Sequence, residues 1–279
     1  MIVPIECNDR SLPVELPHTR QFDLVTRDGL TYRLLVGVPA EPPPPGGFPL
    51  AVLVDGHALF PTMVATARLQ AGRSEVTGVV PSVVLGIGYP GGALFDRERR
   101  EADLLPVPGG ADRFLETILT EMIPAVEAIV PLDPALRSLV GHSYGGLFTL
   151  HALFTRPEQF RAYVAGSPSI WWQDRAILQA EEAFRRPGAH EAARLLITVG
   201  DAEQTDIPRV APERAARLKM ARMRDNAAEM AARLNASRSV ACEFVIFPGE
   251  NHVSVIPSML SRAASFALTA GVADKTVAA

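Results

Sequence analysis

Two stretches of alternating apolar and polar residues open the chain, over 21–26 and 32–38, and Asp28-Gly29 lies between them. Asp-Gly is suited to the tight turn of an antiparallel hairpin, so this pair predicts two antiparallel strands. From Leu50 onward the pattern changes. Short continuous apolar runs at 50–54, 82–87, 138–140, 162–165, 195–199 and 242–247 alternate with helix-patterned stretches at 112–130, 144–154, 174–185, 212–234 and 254–268. Continuous runs suit strands covered by helices on both faces, and the alternation predicts a mostly parallel, doubly wound α/β sheet. The proline-rich segment 41–47 follows only about 40 residues, too few for an independent core, and is expected to be a surface loop. One domain over 1–279 is therefore expected, with an N-terminal hairpin at about 20–40 and a candidate lid helix at about 205–235.

Composition narrows the function classes. The chain has 279 residues, with 27 Lys and Arg against 31 Asp and Glu, and the net charge of −4 comes without a long basic block. That argues against nucleic acid as a partner. The longest apolar runs are far shorter than the ~20 residues of a membrane span, and the first 11 residues lack a signal-peptide pattern. A cytoplasmic protein without a membrane partner is the expectation, and oligomeric state is not legible. The two cysteines, Cys7 and Cys242, are too few for a disulfide framework or a cysteine zinc site, and Cys242 reads as core.

The strongest chemical signal is Gly141-His142-Ser143-Tyr144-Gly145-Gly146, set between an apolar run and an apolar helix. It fits Gly-x-Ser-x-Gly in its strand-turn-helix context, where a sharp turn lifts the serine hydroxyl above the carboxyl end of the sheet. A serine needs a general base, usually a histidine held by a carboxylate. Among the six histidines, His18 precedes the sheet, His151 sits at a packing position on the helix, His142 is expected to point away from its neighbour Ser143, and His190 stands at the wrong end of a strand. His252 follows the last apolar run and precedes the last helix, which satisfies the chain order serine, acid, histidine. The acid is sought after the run 195–199, where Glu203, Asp201 and Asp206 compete and Glu203 has the placement to clear the strand end. An oxyanion hole would draw on the backbone amides of Tyr144 and of His57, in the segment Asp55-Gly56-His57-Ala58 taken as a loop. His57 with Asp55 lacks further ligands at metal spacing, so neither a metal nor a cofactor is expected.

The segments Leu53-Val54-Asp55-Gly56-His57, Gly86-Ile87-Gly88-Tyr89-Pro90, Arg99-Arg100-Glu101-Ala102-Asp103-Leu104-Leu105-Pro106, the Ser143 motif, Gly166-Ser167-Pro168-Ser169-Ile170-Trp171-Trp172 and Gly249-Glu250-Asn251-His252 occur in that order. Together they resemble the esterase D-like branch of the α/β-hydrolases, which includes the trilactone esterases that open ferric enterobactin and bacillibactin. The likeness spans about residues 22–266. It implies an α/β-hydrolase fold and a serine carboxylester hydrolase, with Ser143 as nucleophile, His252 as base and Glu203 as acid. The branch's Asp-Gly-Asn is Asp-Gly-His here, which leaves a backbone role for His57 and removes an amide side chain.

The substrate implied is a small-molecule ester, with a ferric catecholate siderophore as the candidate. Arg99 and Arg100, beside Arg97, could meet an anionic ligand, as could a second cluster at Arg214, Arg217, Lys219, Arg222 and Arg224. The interleaved Glu98 and Glu101 equally suit a solvated face. Trp171 and Trp172, the only tryptophans, suit either the pocket wall or the core. Acyl transfer or thioester cleavage on the same residues, and a binding protein that has lost the chemistry, are the rival readings.

Overall fold

The computed structural model describes residues 14–186, 193–204 and 211–269. Its strands are β1 (Thr19–Val25), β2 (Thr31–Gly37), β3 (Phe48–Val54), β4 (Val83–Gly88), β5 (Leu132–His142), β6 (Ala162–Gly166), β7 (Arg194–Gly200) and β8 (Ala241–Phe247). Among the described residues they form one eight-stranded sheet in the order β1-β2-β4-β3-β5-β6-β7-β8. β1 pairs antiparallel with β2 and β2 antiparallel with β4, while every later pairing is parallel. The turn closing the first hairpin has Gly29 at φ 81°, a left-handed conformation that glycine adopts without a Cβ clash.

The helices are α1 (Gly56–Ala71), α2 (Ser74–Thr77), α3 (Arg97–Leu104), α4 (Ala111–Thr117), α5 (Ile123–Glu127), α6 (Tyr144–Thr155), α7 (Trp172–Arg175), α8 (Ile177–Phe184), α9 (Pro212–Ala221), α10 (Met223–Ser237) and α11 (Val255–Ala267). Successive strand residues point to opposite faces, so one strand feeds two cores. In β3, Leu50, Val52 and Val54 join Leu139, Phe148 and Ile197 on one face, while Ala51 and Leu53 join Leu59, Met63, Met259 and Leu260 on the other. Helices α1 and α11 therefore cover one face together, and α6 and α10 belong to the other.

Several expected helices differ in detail. The stretch 112–130 is α4 and α5 joined by a π-helical turn at Ile118–Met122. The stretch 174–185 opens with left-handed residues at Asp174 and Arg175, and its regular part is α8. The helix expected within 205–235 is two helices, α9 and α10, separated at Arg222 with φ 44°, and 205–210 lie outside the described residues. Helices α1 and α3 lie where no helix was expected.

Candidate active site

The site stands at the carboxyl ends of β3, β5, β6, β7 and β8. At the end of β5 the chain turns sharply: Ser143 has φ 61° and ψ −116°, and α6 begins at the next residue. Glycine is needed on both sides. A Cβ on Gly141 would lie 2.2 Å from the Gly145 carbonyl oxygen, and one on Gly145 would lie 2.7 Å from a Val54 methyl. The turn is clamped by the strand beside it, because the Ser143 N–H donates to the Gly166 carbonyl at 2.9 Å and the Ser169 N–H donates to the Ser143 carbonyl at 3.1 Å.

Three of the residues singled out from the sequence meet here. Ser143 Oγ is 3.1 Å from His252 Nε2, and His252 Nδ1 is 2.6 Å from Glu203 Oε2. The Glu203 side chain is fully buried, and its other oxygen accepts the Ser167 hydroxyl at 2.6 Å and the Gly200 N–H at 2.7 Å. A buried carboxylate is costly unless it is hydrogen-bonded, and these three contacts meet that need. Glu203 reaches this position because β7 ends at Gly200 and a 3₁₀ turn over Asp201–Gln204 carries it back under the loop holding His252. Asp201 instead accepts the Gly249 N–H at 2.7 Å, and Asp206 lies outside the described residues. A hydroxyl, an imidazole and a buried carboxylate in this sequence can take a proton from the hydroxyl and keep the resulting imidazolium oriented.

The amides of His57 and Tyr144 each lie in the first turn of a helix, α1 and α6, where a backbone N–H has no intrahelical acceptor. The segment after β3 is thus the start of a helix rather than a loop. Asp55 precedes it in a left-handed conformation, φ 57° and ψ 44°, with its side chain 1% exposed. Its two oxygens take both Nε and Nη2 of Arg100, at 2.7 and 3.0 Å. Burial raises the Asp55 carboxyl above its ordinary value, and the Arg100 charge opposes that. The His57 ring turns aside, with Nε2 3.0 Å from the Tyr89 carbonyl.

The arginines expected to meet a ligand are engaged with the protein. Arg99 lies between the rings of Tyr32 and Tyr89, 4.8 and 4.7 Å from their centroids, and 3.7 Å from Asp103. Arg97 pairs with Glu101 on the surface. Arg100 lies over Tyr144 at 5.3 Å and Phe95 at 5.0 Å, so its charge sits beside the serine turn. In the second cluster, Arg222 pairs with Glu229 and Asp225, while the Arg214 and Arg217 side chains are outside the described residues. Trp171 and Trp172 form an aromatic wall with Tyr144, at centroid separations of 6.5 Å for Trp171 to Tyr144, 5.2 Å for Trp172 to Tyr144 and 5.8 Å between the two indoles. Both indoles are partly exposed.

Two features were missed in the sequence. The Asp55 to Arg100 pair joins residues 45 apart in a charged stretch that reads as surface. His142 does not simply point away: its ring packs on that of His252, with centroids 4.6 Å apart. His151 is a packing residue, with Nε2 2.7 Å from Asp112. Cys242 packs against the core, and Cys7 and His190 lie outside the described residues.

The model of the family described as "Putative esterase" matches residues 30–247. The chain is 39% identical, over 281 aligned positions covering 91% of it and 94% of the relative, to a siderophore triacetylfusarinine C esterase of Aspergillus fumigatus. It is 34% identical to the ferri-bacillibactin esterase BesA of Bacillus subtilis, with 85% of each chain covered. Among solved structures, the siderophore hydrolase EstB of Aspergillus nidulans superposes with a TM-score of 0.82 at 32% identity, covering 94% of this chain and 98% of that one.

Proposed function

This chain belongs to the Putative esterase family, and from that premise we propose that it is a serine carboxylester hydrolase acting through an acyl-enzyme, with a siderophore ester as substrate. The observation that carries the reading is the continuous path from Ser143 Oγ through His252 to fully buried Glu203. Ser143 Oγ attacks the ester carbonyl as its proton passes to His252 Nε2. Glu203 holds Nδ1–H and balances the imidazolium. The oxyanion formed is met by the N–H groups of Tyr144 and His57, both at positive helix ends, beside the Arg100 charge. As the bond to the leaving alcohol breaks, His252 returns the proton to its oxygen. Water then attacks the acyl carbonyl, gives its proton to His252, and the acid leaves as Ser143 recovers its hydrogen. No step calls for a metal or cofactor as a reactant.

The siderophore part of the reading rests on the relatives' substrates and on the mouth of the site. Trp171, Trp172 and Tyr144 offer flat apolar faces suited to stacking against a large ligand with aromatic or amide groups, with the Asp55-paired charge of Arg100 behind Tyr144. Arg99, enclosed by two tyrosines, would act by holding α3 in place so that Arg100 reaches the site. The test is hydrolysis of iron-loaded and iron-free siderophore trilactones beside p-nitrophenyl butyrate, with Ser143→Ala as control. Wild-type rates from Ser143→Ala would refute the serine mechanism, and cleavage of only the simple ester would refute the siderophore assignment.

A further inference from the structure

His142 is the last residue of β5 and is 2% exposed, yet it has no role in the path from serine to carboxylate. Its Nε2 is buried and has no hydrogen-bond partner. A buried, unpaired ring nitrogen is a cost to the fold, and an apolar residue would avoid it. The ring therefore occupies this place for its contact. That contact is His252, whose backbone hydrogen-bonds the His142 ring and whose own ring is tilted 45° to it at 4.6 Å between centroids.

The geometry of His252 shows what such a contact can do. Its two hydrogen bonds lie at opposite nitrogens, Nδ1 to Glu203 at 2.6 Å and Nε2 to Ser143 at 3.1 Å. Both bonds oppose rotation of the ring about its Cβ–Cγ bond, and each does so only while its partner keeps the atom it shares. The side chain is 37% exposed, so solvent does not confine it. A ring packed on its face does. The need is greatest in the acyl-enzyme, because Ser143 Oγ is then esterified and has no proton to share, leaving Glu203 as the remaining anchor among those two.

We propose that His142 is a positioning residue for His252, a buried ring wall that keeps the imidazole in register between acylation and deacylation. The inference rests on the serine-esterase reading above. The groups facing His142 are His252, from the loop after β8, and Arg100, from α3, whose charge is paired with Asp55. Burial, first, and these neighbouring charges, second, hold the His142 imidazole well below its ordinary value, so the wall is uncharged. An uncharged wall does not repel the imidazolium that His252 becomes in each half-reaction.

The test separates the half-reactions. Acylation is read from the p-nitrophenol burst with p-nitrophenyl butyrate, and deacylation from single-turnover breakdown of the acyl-enzyme. In His142→Ala and His142→Leu, which remove the flat ring, deacylation is expected to fall at least about tenfold while acylation stays within about threefold. His142→Phe, which restores a flat face, should bring deacylation back to within about threefold of wild type. His142→Leu keeps apolar volume, so it carries the test if the alanine variant fails to fold. Equal slowing of both steps, unchanged deacylation in the folded variants, or a phenylalanine variant no better than leucine would each overturn the proposal. Failure of the wild type to be labelled at Ser143 by a fluorophosphonate would instead refute the serine-esterase reading on which it stands.

Discussion

Replacing Glu203 by glutamine tests the path from serine to carboxylate with almost no change in shape. The side chain has two orientations. In the first, the amide oxygen takes the place of Oε1 and keeps the bonds from the Ser167 hydroxyl at 2.6 Å and the Gly200 N–H at 2.7 Å. Its NH2 then faces His252 Nδ1, which must become an acceptor. The imidazole proton moves to Nε2, and Nε2 can no longer accept the proton of Ser143 Oγ, 3.1 Å away. In the second, the amide is flipped, so its NH2 confronts the Gly200 N–H, a backbone donor that cannot rotate, at a cost of about 1–3 kcal/mol. The first orientation is therefore favoured and it holds the wrong tautomer, a change worth ~10⁴ in kcat in a serine-histidine-aspartate enzyme, or about 5 kcal/mol of barrier. Steady-state hydrolysis of p-nitrophenyl butyrate by Glu203→Gln should fall by about three to four orders of magnitude, with KM nearly unchanged. A kcat within tenfold of wild type, in a variant with the wild-type unfolding temperature, would show that Glu203 does not set the tautomer and that Ser143 and His252 suffice.

Three further outcomes follow from the same geometry. Arg100→Met leaves the Asp55 carboxylate buried and alone, so thermal or urea unfolding should show a loss of about 3–5 kcal/mol, partly recovered in the Asp55→Asn, Arg100→Met double variant; equal stability of the two variants would refute the pairing argument. Trp171→Ala should raise KM for a bulky siderophore ester at least about fivefold and leave p-nitrophenyl butyrate within twofold, because the indole offers a contact that only a large ligand reaches. The Cys242 thiol is pushed up to about 12, by burial first and the Glu243 charge second, so a disulfide reagent at pH 8 should leave it unmodified until the chain unfolds. The sign for stability follows: the unfolded thiol ionises from about pH 8.5 and the folded one only near 12, so stability contributed below that window is lost as pH rises through it, and Cys242→Ala should flatten the loss in alkaline urea titrations.

The centre of the sheet was legible because strands such as β3 and β4 are apolar on both faces, and the runs 50–54 and 195–199 sit inside β3 and β7 with only end residues added. Helix α3 was not, because Arg97–Leu104 is mostly charged and buries only Asp103 and Leu104, so no apolar stripe announces it. The break at Arg222 has neither glycine nor proline to mark it. At the site, Ser143, His252 and Glu203 follow strand ends, where chain order carries information. The Asp55 to Arg100 pair and the contact of His142 with His252 depend on which way a side chain turns, and that is decided by packing between distant segments.

The left-handed corners at Asp55, Ser143 and Ser167 follow β3, β5 and β6, which are neighbours in the sheet. Each holds a side chain where glycine would be the relaxed choice. Glycine there would relax the backbone but strip out the carboxylate, hydroxyl and second hydroxyl of the site, leaving Arg100 and Glu203 without partners they now have. Stabilising this chain without silencing it means leaving those three corners tense and looking for gains at its edges, in β1, β8 and the far ends of the helices.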